Sequence, residues 1–283
     1  MSVDVRRSPM CPQPPLRATP VDAQADAWDA ARYTRHSSLQ EQMAAQVLAL
    51  VRLDGHERVL DIGCGDGRIS ARIAAERVPR GSVVGVDASA DMIAFARREH
   101  AAVGNLAFAV ADAARLPFEG NFDAVVSFNA LHWLHELSSA FRGIKAALVP
   151  GGRVWLRLVT RGPVTSLEEV AEQVRREAPW APLFAGFEDP YLRLTAEQVA
   201  ADATAAGLLL KEVRTELEGW DFGTREAFFG FCSAGFGAWT TRLPADRRDA
   251  FVDAVLDRYL GLQPDPGGAL FRFYQTDLAL DAP

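Results

Sequence analysis

Lysine is nearly missing from this 283-residue chain: of 30 cationic side chains only Lys145 and Lys211 are lysine. An excess of positive charge is missing too, since 37 acidic residues bring the net charge to −7. Nucleic acid and anionic membrane surfaces are held by clusters of Lys and Arg, so neither is an expected partner. There are three cysteines, Cys11, Cys64 and Cys232. Odd in number and far apart, they lack the paired spacing of a zinc site or a disulfide framework, so no metal and a reducing, cytoplasmic setting are expected. No stretch of about 18 apolar residues could span a bilayer. Arg6 and Arg7 are followed by no apolar region, so no secretory leader is expected. What is there is ordinary for a globular chain, 49% hydrophobic and 24% charged. The length suits about two domains at roughly 150 residues each, or one α/β domain with insertions.

Residues 1–25 hold Pro9, Pro12, Pro14, Pro15 and Pro20 and read as a flexible arm. From Trp28 to Leu53 the pattern is helical, with Leu39, Met43, Val47, Leu48 and Val51 on one stripe. Short apolar runs then alternate with helical patterns. The runs are Arg58–Ile62, Ser82–Val86, Leu106–Val110, Phe122–Phe128 and Arg153–Val159; the helical patterns cover 67–77, 90–100 and 135–147. Near-continuous apolar strands joined by crossover helices predict a doubly wound α/β fold, its mostly parallel sheet covered on both faces. Pro150-Gly151-Gly152 reads as the turn into the fifth strand. Beyond Thr160, helices are expected at 165–177, 195–206 and 244–260. Strands are expected at 208–217 and 269–280, the last antiparallel to its predecessor at the sheet edge. We expect residues 26–160 to form the ligand-binding domain, and 161–283 a helical cap with the last two strands.

The segment richest in chemistry is Asp61-Ile62-Gly63-Cys64-Gly65-Asp66-Gly67. A strand ends, the chain turns through alternate glycines, and a helix begins; such glycines admit positive φ and let a ligand approach the backbone. In doubly wound folds the ligand lies beyond the carboxyl ends of the strands. Arg68 stands where the dinucleotide fingerprint has its third glycine, which argues against a nicotinamide-dependent oxidoreductase. Asp61 and Asp66 are poor neighbours for a pyrophosphate and suit a ligand with positive charge and no phosphate. Asp87 ends the second strand, where a carboxylate can accept hydrogen bonds from a ribose diol. Asp112 follows the third.

Taken together, the Asp61–Gly67 turn, Asp87, Asp112 and the strand Phe122-Asp123-Ala124-Val125-Val126-Ser127 resemble the class I S-adenosylmethionine-dependent methyltransferases. The resemblance covers residues 28 to 160. It implies a seven-stranded Rossmann-like sheet with one antiparallel strand, and S-adenosyl-L-methionine lying across the first four strand ends. It further implies that Gly63 and Gly65 meet the methionine and ribose portions, Asp87 the ribose hydroxyls, Met92 the adenine ring and Asp112 the adenine amino group. Asp61, Ala88, Ala113 and Asn129 complete the implied set, with Tyr33 closing over the cofactor.

The fourth strand runs into Asn129-Ala130-Leu131-His132-Trp133-Leu134, where an acceptor would approach, and Tyr33 to Gln40 opens the first long helix. These two segments resemble the trans-aconitate and juvenile-hormone-acid branch, whose members make methyl esters of small carboxylic acids. That resemblance implies that Gln40 and Trp133 face the acceptor, each as an uncharged donor able to orient a carboxylate. The expected reaction is therefore O-methylation of a carboxylate on a small molecule, by a monomer or a homodimer. Two alternatives stand beside it. One is methylation of carbon, nitrogen or a phenol with His132 as base; the other is a protein that binds the cofactor and catalyses a reaction other than methyl transfer. Arg157, Arg193, Arg225, Arg242 and Arg272 are candidates for reading an anionic acceptor. The aromatic residues between Trp220 and Trp239 read as packing, or else as an apolar pocket.

Overall fold

In the computed structural model, residues 46–189, 193–263 and 268–283 are described. The predicted arm, Tyr33 and Gln40 lie outside them. Residues 46–50 are helical. Seven strands follow: β1 Arg58–Ile62, β2 Ser82–Asp87, β3 Leu106–Val110, β4 Phe122–Phe128, β5 Leu148–Thr160, β6 Leu209–Asp221 and β7 Leu270–Asp281. They form one sheet in the order β3-β2-β1-β4-β5-β7-β6. The first five run parallel, and β7 pairs antiparallel with both β5 and β6. The seven-stranded α/β fold expected from the sequence is what forms. The last strand enters between β5 and β6, which leaves β6 at the edge.

The central strands read as continuous apolar runs because each is buried on both faces. Leu60, Ile62, Val84, Val86 and Val125 face one helical layer, formed by α3 (Ser138–Ala147) and α5 (Ala196–Ala205). Val59, Val83, Ala124 and Val126 face the other, where Val47, Leu48 and Val51 pack beside Ile73. The helix after the glycine turn is α1, Arg68–Arg72, and widens into a π-turn over Ile73–Arg77. Helix α2, Ala90–Glu99, is capped by Ser89, whose Oγ accepts from the Met92 amide.

A second apolar body lies beyond the β5–β7 end of the sheet. It joins α4 (Leu167–Arg175), α6 (Arg225–Gly235), α7 (Gly237–Thr240) and α8 (Ala245–Gly261) to Phe271 and Phe273 of β7. The aromatic segment is packing here: Phe228 and Trp239 are fully buried, and Trp239 Nε1 donates to Glu172 Oε1 at 3.1 Å. Pro150-Gly151-Gly152 differs from expectation. β5 begins at Leu148, opposite Phe122, and a register shift before Ala124 absorbs the three residues within the ladder.

Candidate functional site

The chain leaves β1 through Gly63, Gly65 and Gly67, at φ 73°, 53° and 79°. All three are in the left-handed region that side chains rarely adopt. Their surroundings differ. A Cβ at Gly63 would stand 2.1 Å from the Ala130 Cβ, and one at Gly67 2.5 Å from Phe108 Cζ. A Cβ at Gly65 would meet nothing within 4 Å. Gly63 and Gly67 therefore permit close internal packing, while Gly65 opens its backbone to the space beyond the strand ends.

Asp87 fastens the turn to β2. Its Oδ2 accepts from the Gly65 amide at 3.0 Å and its Oδ1 from the Ser89 amide at 2.9 Å. Burial pushes its carboxyl up from the ordinary range, opposed by those two amides. Each oxygen keeps lone-pair capacity for a ligand hydroxyl. Asp61 lies beneath the turn, only 2% exposed, and accepts from Ser70 Oγ at 2.5 Å, which ties β1 to α1. Burial raises its pKa to about 7, and the nearby Asp87 adds to the rise. The Cys64 thiol is pushed up by burial, and by Asp61, Asp87 and Asp66 after it. The turn is thus a region of negative potential, hospitable to a cation.

Asp112 caps a single 3₁₀ turn, Ala113–Arg115. Its Oδ1 accepts from the Ala114 amide at 2.9 Å and its Oδ2 from Arg115 Nε at 3.2 Å. Ala88 and Ala113 stand half-buried beside the two acids, and Met92 is buried on the first turn of α2. Asp87, Ala88 and Met92 follow β2, and Asp112 and Ala113 follow β3, all on the carboxyl edge of the sheet next to the turn.

Past β4 the chain turns sharply at Asn129, the one described non-glycine residue with positive φ, at 55°. Two bonds hold it: its amide donates to the Arg157 carbonyl at 2.7 Å, and its Oδ1 accepts from Gln275 Nε2 at 2.9 Å. A 3₁₀ turn, Leu131–Trp133, follows. The His132 and Trp133 rings lie 5.7 Å apart. His132 is buried, and that burial lowers its pKa to about 4. It borders a cavity of about 30 Å³ with Val159, Thr160, Arg161, Ser166, Glu168, Glu169 and Arg193.

Among the five arginines considered, Arg193 lines this cavity, with its guanidinium on Asp189. Arg157 is committed elsewhere. It makes a two-pronged pair with Asp277 at 2.6 and 2.7 Å and donates to Gln46 Oε1. Arg225 is paired with Asp253 and Asp257, and Arg242 lies over the Phe187 ring. Thr160, Ser166 and Glu168 were not anticipated from sequence; the only local signal was the Ser166…Glu169 spacing of a capping box, which marks a helix start rather than a site. Among the described residues no group of three or more His, Cys, Asp and Glu could hold a metal, and no helix is long and apolar enough to cross a membrane.

The glycine cradle, the Asp87 carboxylate at the end of β2 and the negative potential fit S-adenosylmethionine, whose sulfonium is a cation without a phosphate. Comparison with known proteins agrees. Residues 59–152 match the family described as a methyltransferase domain. Malonyl-[acyl-carrier protein] O-methyltransferase of Geobacter sulfurreducens is 30% identical over 192 residues, 67% of this chain and 70% of that enzyme. Trans-aconitate 2-methyltransferase of Methylobacterium nodulans is 34% identical over 158 residues, 56% of this chain and 58% of that enzyme. A solved phosphoethanolamine N-methyltransferase of Haemonchus contortus, in complex with phosphomonomethylethanolamine and S-adenosylhomocysteine, superimposes with a TM-score of 0.55 at 22% identity. That match covers 86% of this chain and 53% of the other.

Proposed function

The chain belongs to the class I S-adenosylmethionine-dependent methyltransferases, and from that premise we propose that it methylates a carboxylate oxygen of a small molecule. When bound, S-adenosylmethionine supplies an electrophilic methyl group on a sulfonium. The residues of this chain do the rest. Asp87 accepts from the ribose hydroxyls while the Gly65 and Ser89 amides fix its oxygens, and Asp112 accepts from the adenine amino group. Gly65 lets the cofactor lie against bare backbone, with Gly63 and Asn129 at the turns beside it, and Met92 and the two alanines flank the adenine. Asp61 acts from below by tying the turn to α1.

The observation that carries the carboxylate reading is the environment of His132. Burial holds its pKa at about 4, far below the operating pH at which a general base works best. A histidine so weakly basic is a poor acceptor for the proton of a phenol or an amine. A carboxylate is already ionised at neutral pH and needs orientation and dryness rather than a base. Thr160, Ser166 and Arg193 border the cavity beside His132, and the indole N–H of Trp133, next in the chain, is assigned to orienting the carboxylate. The two sequence relatives named above support this chemistry, since malonyl and trans-aconitate acceptors are both carboxylic acids.

The test is formation of S-adenosylhomocysteine with a panel of di- and tricarboxylic acids, fatty acids, phenols and amines. Turnover of acids alone is expected, with a rate flat above about pH 5. Turnover of phenols or amines alone, rising through the histidine range, would replace the carboxylate with an acceptor that needs deprotonation.

A further inference from the structure

β6 is the outer strand of the sheet, 13 residues long, or about 40 Å. Among the described residues β7 is its only strand partner. A long free edge is a template for another chain, and proteins ordinarily keep such edges short, covered or interrupted. Here Val213 and Leu217 stand 43% and 39% exposed. Their β7 partners are Leu278 and Tyr274, so both point to the face that carries α5. Arg214 and Glu216 sit opposite Asp277 and Gln275 on the other face and are ion-paired to each other. The ladder is regular from Glu212, just past a bulge at Lys211, to Asp221. Thr215 stands within this stretch, between Arg214 and Glu216.

We propose that two copies of this chain associate through β6, antiparallel, about a two-fold axis at Thr215. In that register each Arg214 lies opposite the partner's Glu216 and each Val213 opposite the partner's Leu217, both twice by symmetry. Opposite charges and apolar pairs directly across a ladder each stabilise it. Glu212 and Glu218 meet at the two ends, a like-charge contact that offsets part of this gain. Neighbouring registers match less well. An axis at Arg214 sets arginine against arginine and Glu212 against Glu216. An axis at Glu216 keeps an ion pair, Arg214 with Glu218, but sets glutamate against glutamate and Leu217 opposite Thr215, so both apolar pairs are lost. Of these three, only the axis at Thr215 joins ion pairs to apolar pairs. The cofactor residues follow β1, β2 and β3 at the opposite end of the strand order, so both sites stay open.

Sedimentation of the full chain over a range of concentrations reads the association directly. The wild type should be dimeric. Arg214→Glu and Glu216→Arg should each weaken dimerisation about tenfold or more. An equimolar mixture of these two single variants should form a heterodimer, because positions 214 and 216 again meet opposite charges across the seam; the double variant should recover the homodimer. S-adenosylmethionine affinity per chain should be the same in all of them, which separates lost assembly from lost fold. A wild type that stays monomeric would overturn the proposal. So would a dimer indifferent to both substitutions, or a mixture that associates no better than its components.

Discussion

Replacing Gly65 with alanine separates what the cofactor needs from what the fold needs. The new methyl meets no protein atom within 4 Å, so the fold bears only the conformational cost of φ 53°. For a non-glycine residue in the left-handed region that is about 1–2 kcal/mol. For a chain of this size it lowers Tm by about 2–8 °C. A ligand lying on that backbone meets the methyl at van der Waals contact. Forcing one methyl into a filled contact costs about 1–3 kcal/mol, or about 5- to 150-fold in Kd. Gly63→Ala should behave in the opposite way, because its methyl would overlap the Ala130 Cβ at 2.1 Å and stability would fail first. Thermal melts with calorimetric titration of S-adenosylmethionine and S-adenosylhomocysteine measure both quantities on both variants. Wild-type affinity in Gly65→Ala, in a protein that is otherwise folded, would refute the placement of the cofactor over this turn.

Asp87→Ala removes the acceptor shared by the Gly65 and Ser89 amides and both proposed ribose contacts. At about 1.5–3 kcal/mol for each hydrogen bond to a charged group, cofactor Kd should rise at least about a hundredfold; unchanged calorimetric affinity would move the ribose elsewhere. Asp61 gives a pH signature. Its folded pKa of about 7 lies above the ordinary aspartate value of 3.8, so the unfolded chain loses the proton first, and the stabilisation present below about pH 4 is lost as pH rises through about 7. Asp61→Asn should flatten that part of the Tm–pH curve, and equal slopes in the two proteins would show that Asp61 does not titrate there. Trp133→Phe removes the indole donor but keeps an aromatic ring. It should raise the acceptor's KM and leave S-adenosylmethionine affinity unchanged, and an unaffected KM would confine Trp133 to packing.

The parallel half of the sheet was legible because β1 to β4 are apolar on both faces and so announce themselves over five to seven residues. Asp87 and Asp112 were legible for a related reason, as charged residues that end apolar strands. The start of β5 was not. Pro150-Gly151-Gly152 carries the composition of a turn, and only its pairing with β4 keeps it inside the ladder. Long-range partners were also beyond reach. Arg157 looked free to read an anion until Asp277, 120 positions on, was found to neutralise it. Asn129 gave no hint that Gln275, 146 positions away, would fix its turn. Spacing along the chain reports local conformation, whereas these contacts depend on β7 entering beside β5.

That entry has a consequence for the order of folding. During synthesis β6 emerges before β7, yet every ladder bond it makes in the described fold is to β7. Until residues 270–281 arrive, β6 has no neighbour and β5 presents an open side, so two strands wait on one. Closing that gap spans more than a hundred residues between β5 and β7, the kind of non-local step that slows folding and exposes strands on the way. The same late strand brings Gln275 to Asn129 and Asp277 to Arg157. The nascent chain can thus shape β1 to β4 early, while the Asn129 turn and the Arg157 ion pair are completed only when β7 enters the sheet.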